Sequence, residues 1–220
     1  MASSTTLPRR TAPQTSLRVL ACVALCALLA ACGFRLKGVA PLPFTTIYTN
    51  IAENSAFGAG LRRAIVASSP STRFVSEPAD AQARLTQIAN TQSLRELSID
   101  AQGQVEEYEL NLEFVFQLTD AQGHVVLAPT TLRATREVPY DPNVVQAKQG
   151  EIATVFADMQ QSLIDRVVRR LSSPDVAEAF AEAMALPPAE KDGAAEAPAP
   201  AQEAPVPAII PRGVPGVRPY

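Results

Sequence analysis

The sequence predicts an α+β fold, specifically a two-layer α/β sandwich in which two helices pack on one face of a mixed four-stranded sheet containing a three-strand antiparallel meander. Three observations lead to this prediction. A long segment in the middle of the 220-residue chain alternates apolar and polar residues. The same tetrapeptide, Asp-Ala-Gln-Gly, stands on both sides of that segment. Segments with helical periodicity precede and follow this region.

The N-terminus is typical of a secretory signal. It carries a positive charge from Arg9, Arg10 and Arg18. The apolar run 19–30 that follows is shorter than the roughly 20 residues of a membrane-spanning helix. This run ends in Leu-Ala-Ala-Cys at 29–32, which resembles the lipobox of bacterial lipoproteins. That resemblance implies that residues 1–31 are cleaved and that Cys32 receives an N-acyl group and an S-linked diacylglycerol.

The alternative is an ordinary secretory signal with an incidental cysteine at its end. Lipoproteins with a lipobox carry three acyl chains, and several chains anchor a protein stably where one binds marginally. In enterobacteria an Asp after the cysteine usually retains a lipoprotein at the inner membrane; the residue here is Gly33, so we expect the outer membrane. Cys22 and Cys26 lie inside the cleaved segment, and the mature chain is therefore expected to have no disulfide.

One domain is expected after cleavage, over residues 32–173. Between residues 33 and 175 the chain carries 13 Lys and Arg against 16 Asp and Glu, a net charge of −3. This balance argues against a nucleic-acid binder, because phosphate contacts require a basic excess. The segment 187–220 contains nine of the chain's 19 prolines. We therefore predict a disordered Pro/Ala-rich tail there.

The first half of the domain predicts a strand followed by a helix. Residues 44–49 form a β-branched and aromatic run, which favours a strand. Asn54 or Ser55 then caps a helix. Its apolar stripe consists of Phe57, Leu61, Ala64 and Ile65. Gly58 and Gly60 weaken this helix by up to about 1 kcal/mol each relative to Ala, unless they permit close packing.

The middle of the domain predicts the meander. Every second residue from 108 to 118 is apolar and most of the others are polar, as in a half-buried strand. The tetrapeptides at 100–103 and 120–123 suit a type I turn closed by a left-handed Gly, a common hairpin connection. They pair the long strand with one ending near Ile99 and another over 125–138. The first of these strands does not keep one phase, which predicts a bulge or bend.

The last part of the domain predicts a long helix. Apolar residues recur at spacings of three and four from Ile152 to Leu171. The helix is expected to start after the Tyr-Asp-Pro-Asn turn at 140–143 and to stop at Pro174. A further short helix is predicted over 174–186, outside the sandwich.

Residue types that carry catalysis are scarce. His124 is the only histidine and lies in a predicted turn, where a surface role is favoured over a general base. The sequence has no cysteine and histidine cluster suited to zinc, no G-x-S-x-G motif and no glycine-rich phosphate loop. Glu107, Glu109 and Glu113 share the polar face of the long strand, where solvation or pairing with Arg133 is expected. We predict no catalytic residue, no metal, no cofactor and no enzymatic activity.

Several segments carry a resemblance to a known family. The mature N-terminus reads Cys-Gly-Phe-Arg-Leu-Lys-Gly at 32–38, and the long strand contains Glu-Tyr-Glu-Leu at 107–110. Tyr-Asp-Pro at 140–142 precedes Ala-Lys at 147–148 and the last helix. With the lipobox and the order of elements, the chain resembles LptE, the lipopolysaccharide-assembly lipoprotein family of the Gram-negative outer membrane. The similarity covers most of residues 29–172.

The resemblance implies a function without catalysis. LptE is a plug inside the lumen of the outer-membrane β-barrel LptD; it helps this barrel to assemble and binds lipopolysaccharide in transit to the outer leaflet. The implied partners are LptD, lipopolysaccharide and the inner leaflet of the outer membrane, reached through the lipid on Cys32, with the domain facing the periplasm. In relatives, basic residues near the hairpin tip and on the last strand bind lipopolysaccharide. The candidates here are Arg95, Arg133 and Arg136, although the turn at 100–103 itself lacks Lys and Arg.

A second hypothesis stays open at this stage. The chain could be an unrelated outer-membrane lipoprotein that faces the periplasm and acts as a ligand-binding module or a hydrolase. Loss of cell-surface lipopolysaccharide on depletion would favour the LptE-like role. Turnover of a substrate that depends on His124 would favour the alternative.

Overall fold

The computed structural model describes residues 40–188 and 205–208. Cys32, the lipobox and most of the predicted tail lie outside these residues. The described part contains five strands, namely β1 (Thr46–Thr49), β2 (Arg73–Phe74), β3 (Ala83–Ile99), β4 (Val105–Asp120) and β5 (Val125–Pro139). It also contains three α-helices, namely α1 (Ala56–Ser68), α2 (Val145–Leu171) and α3 (Pro174–Met184). Single turns of 3₁₀ helix lie at Pro78–Asp80 and Pro142–Val144.

The strands form one mixed sheet in the order β2-β1-β3-β4-β5. β1 runs parallel to both β2 and β3, whereas β3, β4 and β5 form an antiparallel meander. The α+β class, the mixed sheet and the meander are thus confirmed. The prediction of four strands and two helices is wrong in detail, because β2 and α3 also belong to the sandwich.

The additional strand β2 could not be read from its two residues alone. Its pairing depends on β1, to which it is connected through α1. The Arg73 amide donates to the Thr45 carbonyl at 2.8 Å, and the Val75 amide donates to the Ile47 carbonyl at 3.0 Å. A segment this short has no periodicity of its own, so its strand conformation comes from the partner strand.

The additional helix α3 packs on the core. Its residues Val176, Phe180 and Ala183 are buried. The rings of Phe180 and Phe44 meet edge to face with centroids 5.5 Å apart. The short helix that was expected outside the sandwich is therefore part of the helix layer that covers the sheet.

Both hairpin turns have the predicted conformation. Gly103 and Gly123 have φ angles of 81° and 95°, in the left-handed region that glycine adopts without steric cost. The Asp100 carboxylate accepts the amides of Gln102 and Gln104 at 2.9 and 2.8 Å. The register of β3 against β4 shifts between residues 87 and 89, which confirms the predicted bulge.

The sheet has one covered and one open face. From Tyr108 to Asp120 every second residue of β4 is buried under the helices, and the residues between them are half-buried. We name these sides the helix-covered face and the open face. The predicted stripe of α2 lies on the first of them, since its members are buried: Ile152, Phe156, Met159, Leu163, Val167 and Leu171. No helix of the described residues has both the length and the apolar character needed to span a membrane.

Candidate functional site

The open face of the meander carries three polar cross-strand rows. Directly paired residues of antiparallel strands project from the same side of the sheet. From β3 across β4 to β5, the rows are Thr91-Glu113-Arg133, Ser93-Asn111-Thr135 and Arg95-Glu109-Glu137. The helices cover the opposite side, so this polar surface is available for contact with another molecule.

Two ion pairs organise this surface. Arg95 Nη2 lies 2.9 Å from Glu109 Oε1, and Arg133 Nε lies 2.6 Å from Glu113 Oε2. The expected pairing of Arg133 with a glutamate of the long strand is confirmed. The two arginine side chains are 65% and 72% exposed. Because a guanidinium group has five N–H donors in a fork, each arginine retains donors for an external anion.

The middle row is hydrogen-bonded to the Arg95–Glu109 ion pair. Asn111 donates from Nδ2 to Glu109 Oε1 at 2.8 Å and accepts the Thr135 hydroxyl at 3.0 Å. The hydrogen bond from Asn111, followed by that from Arg95, lowers the pKa of Glu109 below its ordinary value. The sequence indicated that Asn111 shares a face with the glutamates. Its contact with Thr135 could not be foreseen, because it depends on the register of β5.

A shallow depression of about 290 Å³ lies at the centre of this surface. It is lined by Thr91, Ser93, Asn111, Leu112, Glu113, Arg133 and Ala134. Hydroxyl, amide, carboxylate and guanidinium groups thus surround one recess. This combination suits binding of a polar or charged group.

The third candidate cation lies elsewhere. Arg136 is paired with Leu110, so it belongs to the helix-covered side of the edge strand β5. It is exposed there and donates from Nη1 to the carbonyl of Thr135 at 3.2 Å. The structure therefore places Arg95 and Arg133 on the same, open face and Arg136 on the other.

The end of the β3–β4 hairpin adds apolar surface beside Arg95. Leu97 is 38% exposed and Ile99 is 61% exposed. The exposure of these two residues could not be predicted from the sequence, because their strand does not keep a regular phase. Aliphatic side chains next to a guanidinium group suit a ligand that has both acyl chains and an anionic group.

His124 has a structural role at the β4–β5 turn. Its Nδ1 lies 2.7 Å from Asp120 Oδ2, and its Nε2 lies 2.9 Å from the carbonyl oxygen of Pro187. Since both partners are acceptors, only the imidazolium donates to both. The ring thus connects the turn to the end of α3. Among the described residues, no three Asp, Glu, His or Cys side chains form a group that could bind a metal ion.

The pKa values of this pair favour the charged forms. The hydrogen bond to Asp120 raises the pKa of His124 above its ordinary value. Burial alone would raise the pKa of Asp120, but hydrogen bonds from the His124 ring and from the amides of His124 and Gln122 outweigh it and lower that pKa. The carboxylate is fully buried, so the imidazolium compensates a charge that water does not reach.

We expect His124→Gln to destabilise the domain most between about pH 5 and 6. A histidine whose pKa is higher in the folded than in the unfolded state stabilises the fold when it is protonated. This contribution is complete at pH values below the unfolded-state pKa, and it is lost as the pH rises through the folded-state pKa. The difference in unfolding free energy between native chain and variant should therefore shrink as the pH rises above the ordinary histidine pKa of about 6.5. Urea titrations at a series of pH values measure it. A constant difference would contradict the ionic link.

The family follows from a comparison of the whole domain with known families. A family model described as LptE, lipopolysaccharide-assembly, matches residues 44–171. This span is more than half of the chain and includes the entire sheet together with α1 and α2. The chain belongs to the LptE family. No curated protein matches the sequence.

Solved structures of bacterial lipoproteins have the same fold. An uncharacterized lipoprotein B from Nitrosomonas europaea is 27% identical, with a TM-score of 0.55 over 64% of this chain and 90% of that one. A rare lipoprotein B from Shewanella oneidensis is 21% identical, with a TM-score of 0.52 over 60% and 96%. A minor lipoprotein from Acinetobacter baumannii is 22% identical, with a TM-score of 0.50 over 60% and 93%. The LptE domain of this chain thus spans nearly the whole of each of these structures.

Proposed function

We propose that this LptE-family chain is an outer-membrane lipoprotein that occupies the lumen of the β-barrel LptD, helps it to assemble and takes part in lipopolysaccharide transport to the outer leaflet. The observation that carries the proposal is the family match over 44–171, because the family is one of lipopolysaccharide assembly. The lipid anchor on Cys32 and the location at the inner leaflet, facing the periplasm, are parts of the same proposal.

The open face has the character that a plug requires. The interior of an outer-membrane barrel is polar, so a domain inside it must offer a polar surface. The cross-strand rows provide that surface over three strands of at least 15 residues. Pairing along most of the length of these strands keeps the surface rigid. The open face is therefore our candidate for contact with the barrel wall and with lipopolysaccharide.

The arginines of the open face are our candidates for lipid A. Guanidinium groups bind phosphates through two parallel hydrogen bonds. Arg95 and Arg133 lie on one face, each exposed and paired with a glutamate. Exposed ion pairs of this kind contribute little to stability, so a phosphate can replace the glutamate as partner. Arg136 is the weaker candidate, since it belongs to the other side of the sheet.

Copurification tests the proposal directly. The native chain, expressed in its host with a C-terminal affinity tag, should recover a large β-barrel protein from outer membranes solubilised in mild detergent. The mass of the mature N-terminal peptide should correspond to a triacylated Cys32. Recovery of an unacylated chain without any barrel protein would refute the proposal.

We expect Arg133→Gln and Arg95→Gln each to weaken lipopolysaccharide binding by about three- to tenfold, the loss of roughly one charge-assisted hydrogen bond. Binding of fluorescently labelled lipopolysaccharide to the purified domain measures the effect. Arg169→Gln is the matched control, because Arg169 is an exposed cation of the last turn of α2, away from the open face. Equal losses in all three variants would indicate nonspecific attraction to positive charge.

A further inference from the structure

A groove on the helix-covered face lies between the start of α1 and the N-terminal half of α2. Its volume is about 420 Å³. We name it the tail groove; the domain residues that line it are Ala56, Gln92, Ala153, Phe156, Ala157 and Gln160. None of these residues belongs to the open face, so the groove is separate from the candidate site described above.

One wall of the tail groove is built from small residues of α2. Ala153 and Ala157 are one helical turn apart and therefore share a face of the helix. Both are exposed, whereas Phe156 beside them is buried. Methyl side chains on this wall leave room for the main chain of an extended segment to approach the helix closely.

The floor of the tail groove has an unsatisfied hydrogen-bond acceptor. Gln92 is only 8% exposed, and its Oε1 has no hydrogen-bond partner among the described residues. Asn90 Oδ1, two residues earlier on the same strand, is also buried without a partner in this part of the chain. Buried acceptors of this kind are unfavourable unless a donor reaches them. Both acceptors stay without a donor while the tail segment described below lies along the groove, so they are not the contacts that hold this segment.

A segment of the chain's own tail lies along this groove. Pro205 and Val206 complete its lining. Gln149, one turn before Ala153 on α2, donates from Nε2 to the carbonyl oxygen of Pro207 at 3.4 Å. The segment therefore follows the same stripe of α2 that forms the apolar wall.

We propose that the tail groove is a docking site for the C-terminal segment Pro205–Ala208 of the same chain, which binds in an extended conformation. Proline fixes φ near the polyproline value, so this Pro-Val-Pro-Ala segment loses little conformational entropy on binding. The hydrogen bond that Gln149 Nε2 donates to the carbonyl oxygen of Pro207 is the polar contact that we assign to the docked segment.

The chain can make this contact within one molecule. The end of α3 lies beside the β4–β5 turn, where His124 contacts Pro187. Gln92 is paired with Leu112 of β4. Leu112 is eight residues from Asp120 along the strand, so the groove lies roughly 27 Å from the β4–β5 turn. The 16 residues between Pro188 and Pro205 span at most roughly 55 Å when extended. A docked segment covers the helix layer and leaves the open face accessible to other partners.

Cross-linking in the full chain tests the docking. In a background with Cys22, Cys26 and Cys32 replaced by Ser, one variant carries Val206→Cys with Ala157→Cys. The control carries Val206→Cys with Ala128→Cys, because Ala128 is an exposed alanine of β5 that does not line the groove and lies away from the tail segment. A short bifunctional maleimide should join the first pair within one molecule about tenfold faster than the second, since docking raises the local concentration.

Two further measurements decide between occupants. Gln149→Leu in the first variant should slow its cross-linking by about threefold or more, because the hydrogen bond to the carbonyl oxygen of Pro207 is lost. Far-ultraviolet circular dichroism verifies that this variant is folded. Equal cross-linking rates for the two cysteine pairs would overturn the proposal. Cross-linked dimers instead of monomers would assign the groove to a second copy and would overturn it as well.

Discussion

Phe114→Ala is expected to lower the free energy of unfolding by about 3–5 kcal/mol. Phe114 is fully buried at the centre of β4. Its ring lies 4.6 Å from that of Phe57 and 5.6 Å from that of Phe116, centroid to centroid. Truncation removes both ring contacts and leaves a cavity between sheet and helix. A domain of this size is stable by only about 5–15 kcal/mol, so the variant should be marginal.

Val115→Ala is the matched control for this prediction. Val115 is the next residue of the same strand but is half-buried on the open face, opposite Ala89 and Thr131. Its truncation should cost about 1 kcal/mol, because little surface is withdrawn from water there. Urea denaturation of both variants and the native chain gives the two differences. Similar costs for Phe114 and Val115 would contradict a sheet with one covered face.

The meander could be predicted because its signals are local. Asp100 and Gly103 specify their turn by a side-chain acceptor and a left-handed φ angle, and the same residue types recur at 120–123. Alternation in β4 then fixes which side is buried. β2 could not be predicted for the opposite reason. Its two residues become a strand only when α1 returns the chain alongside β1, a contact that no local pattern encodes.

The candidate site could be predicted only in part, for a similar reason. The alternation of β4 indicated that Glu113 faces outward, and pairing with Arg133 followed from the adjacent strand. Whether two arginines share a face depends on a shift of one residue in register, which moves a side chain to the other side. Arg95 and Arg133 both belong to the open face, and Arg136 does not. Likewise, the tail groove combines residues from α1, β3, α2 and the tail, which no single stretch of sequence reveals.

Gly58→Ala should destabilise the domain by about 1–3 kcal/mol, although alanine is the better helix former. A Cβ atom at position 58 would clash with the carbonyl oxygen of Ala52, a main-chain atom. The same turn contains the cap of α1, in which Ser55 Oγ accepts the Gly58 amide at 2.9 Å and donates to that carbonyl at 2.8 Å. The clash must therefore displace the cap, and with it the start of the helix beside the tail groove.

Two other glycines separate this steric effect from helix propensity. A Cβ atom at position 60 would lie 2.8 Å from Ile164 Cδ1, the end of a flexible side chain that can rotate away. A Cβ atom at position 150, in α2, would have no atom within 4 Å. Gly150→Ala should therefore stabilise the domain by about 0.5–1 kcal/mol, and Gly60→Ala should be nearly neutral. Thermal unfolding of the three variants measures the order. If Gly58→Ala proved as stabilising as Gly150→Ala, close packing against Ala52 would not explain the glycine at position 58. Gly58 would then only weaken α1 through its low helix propensity.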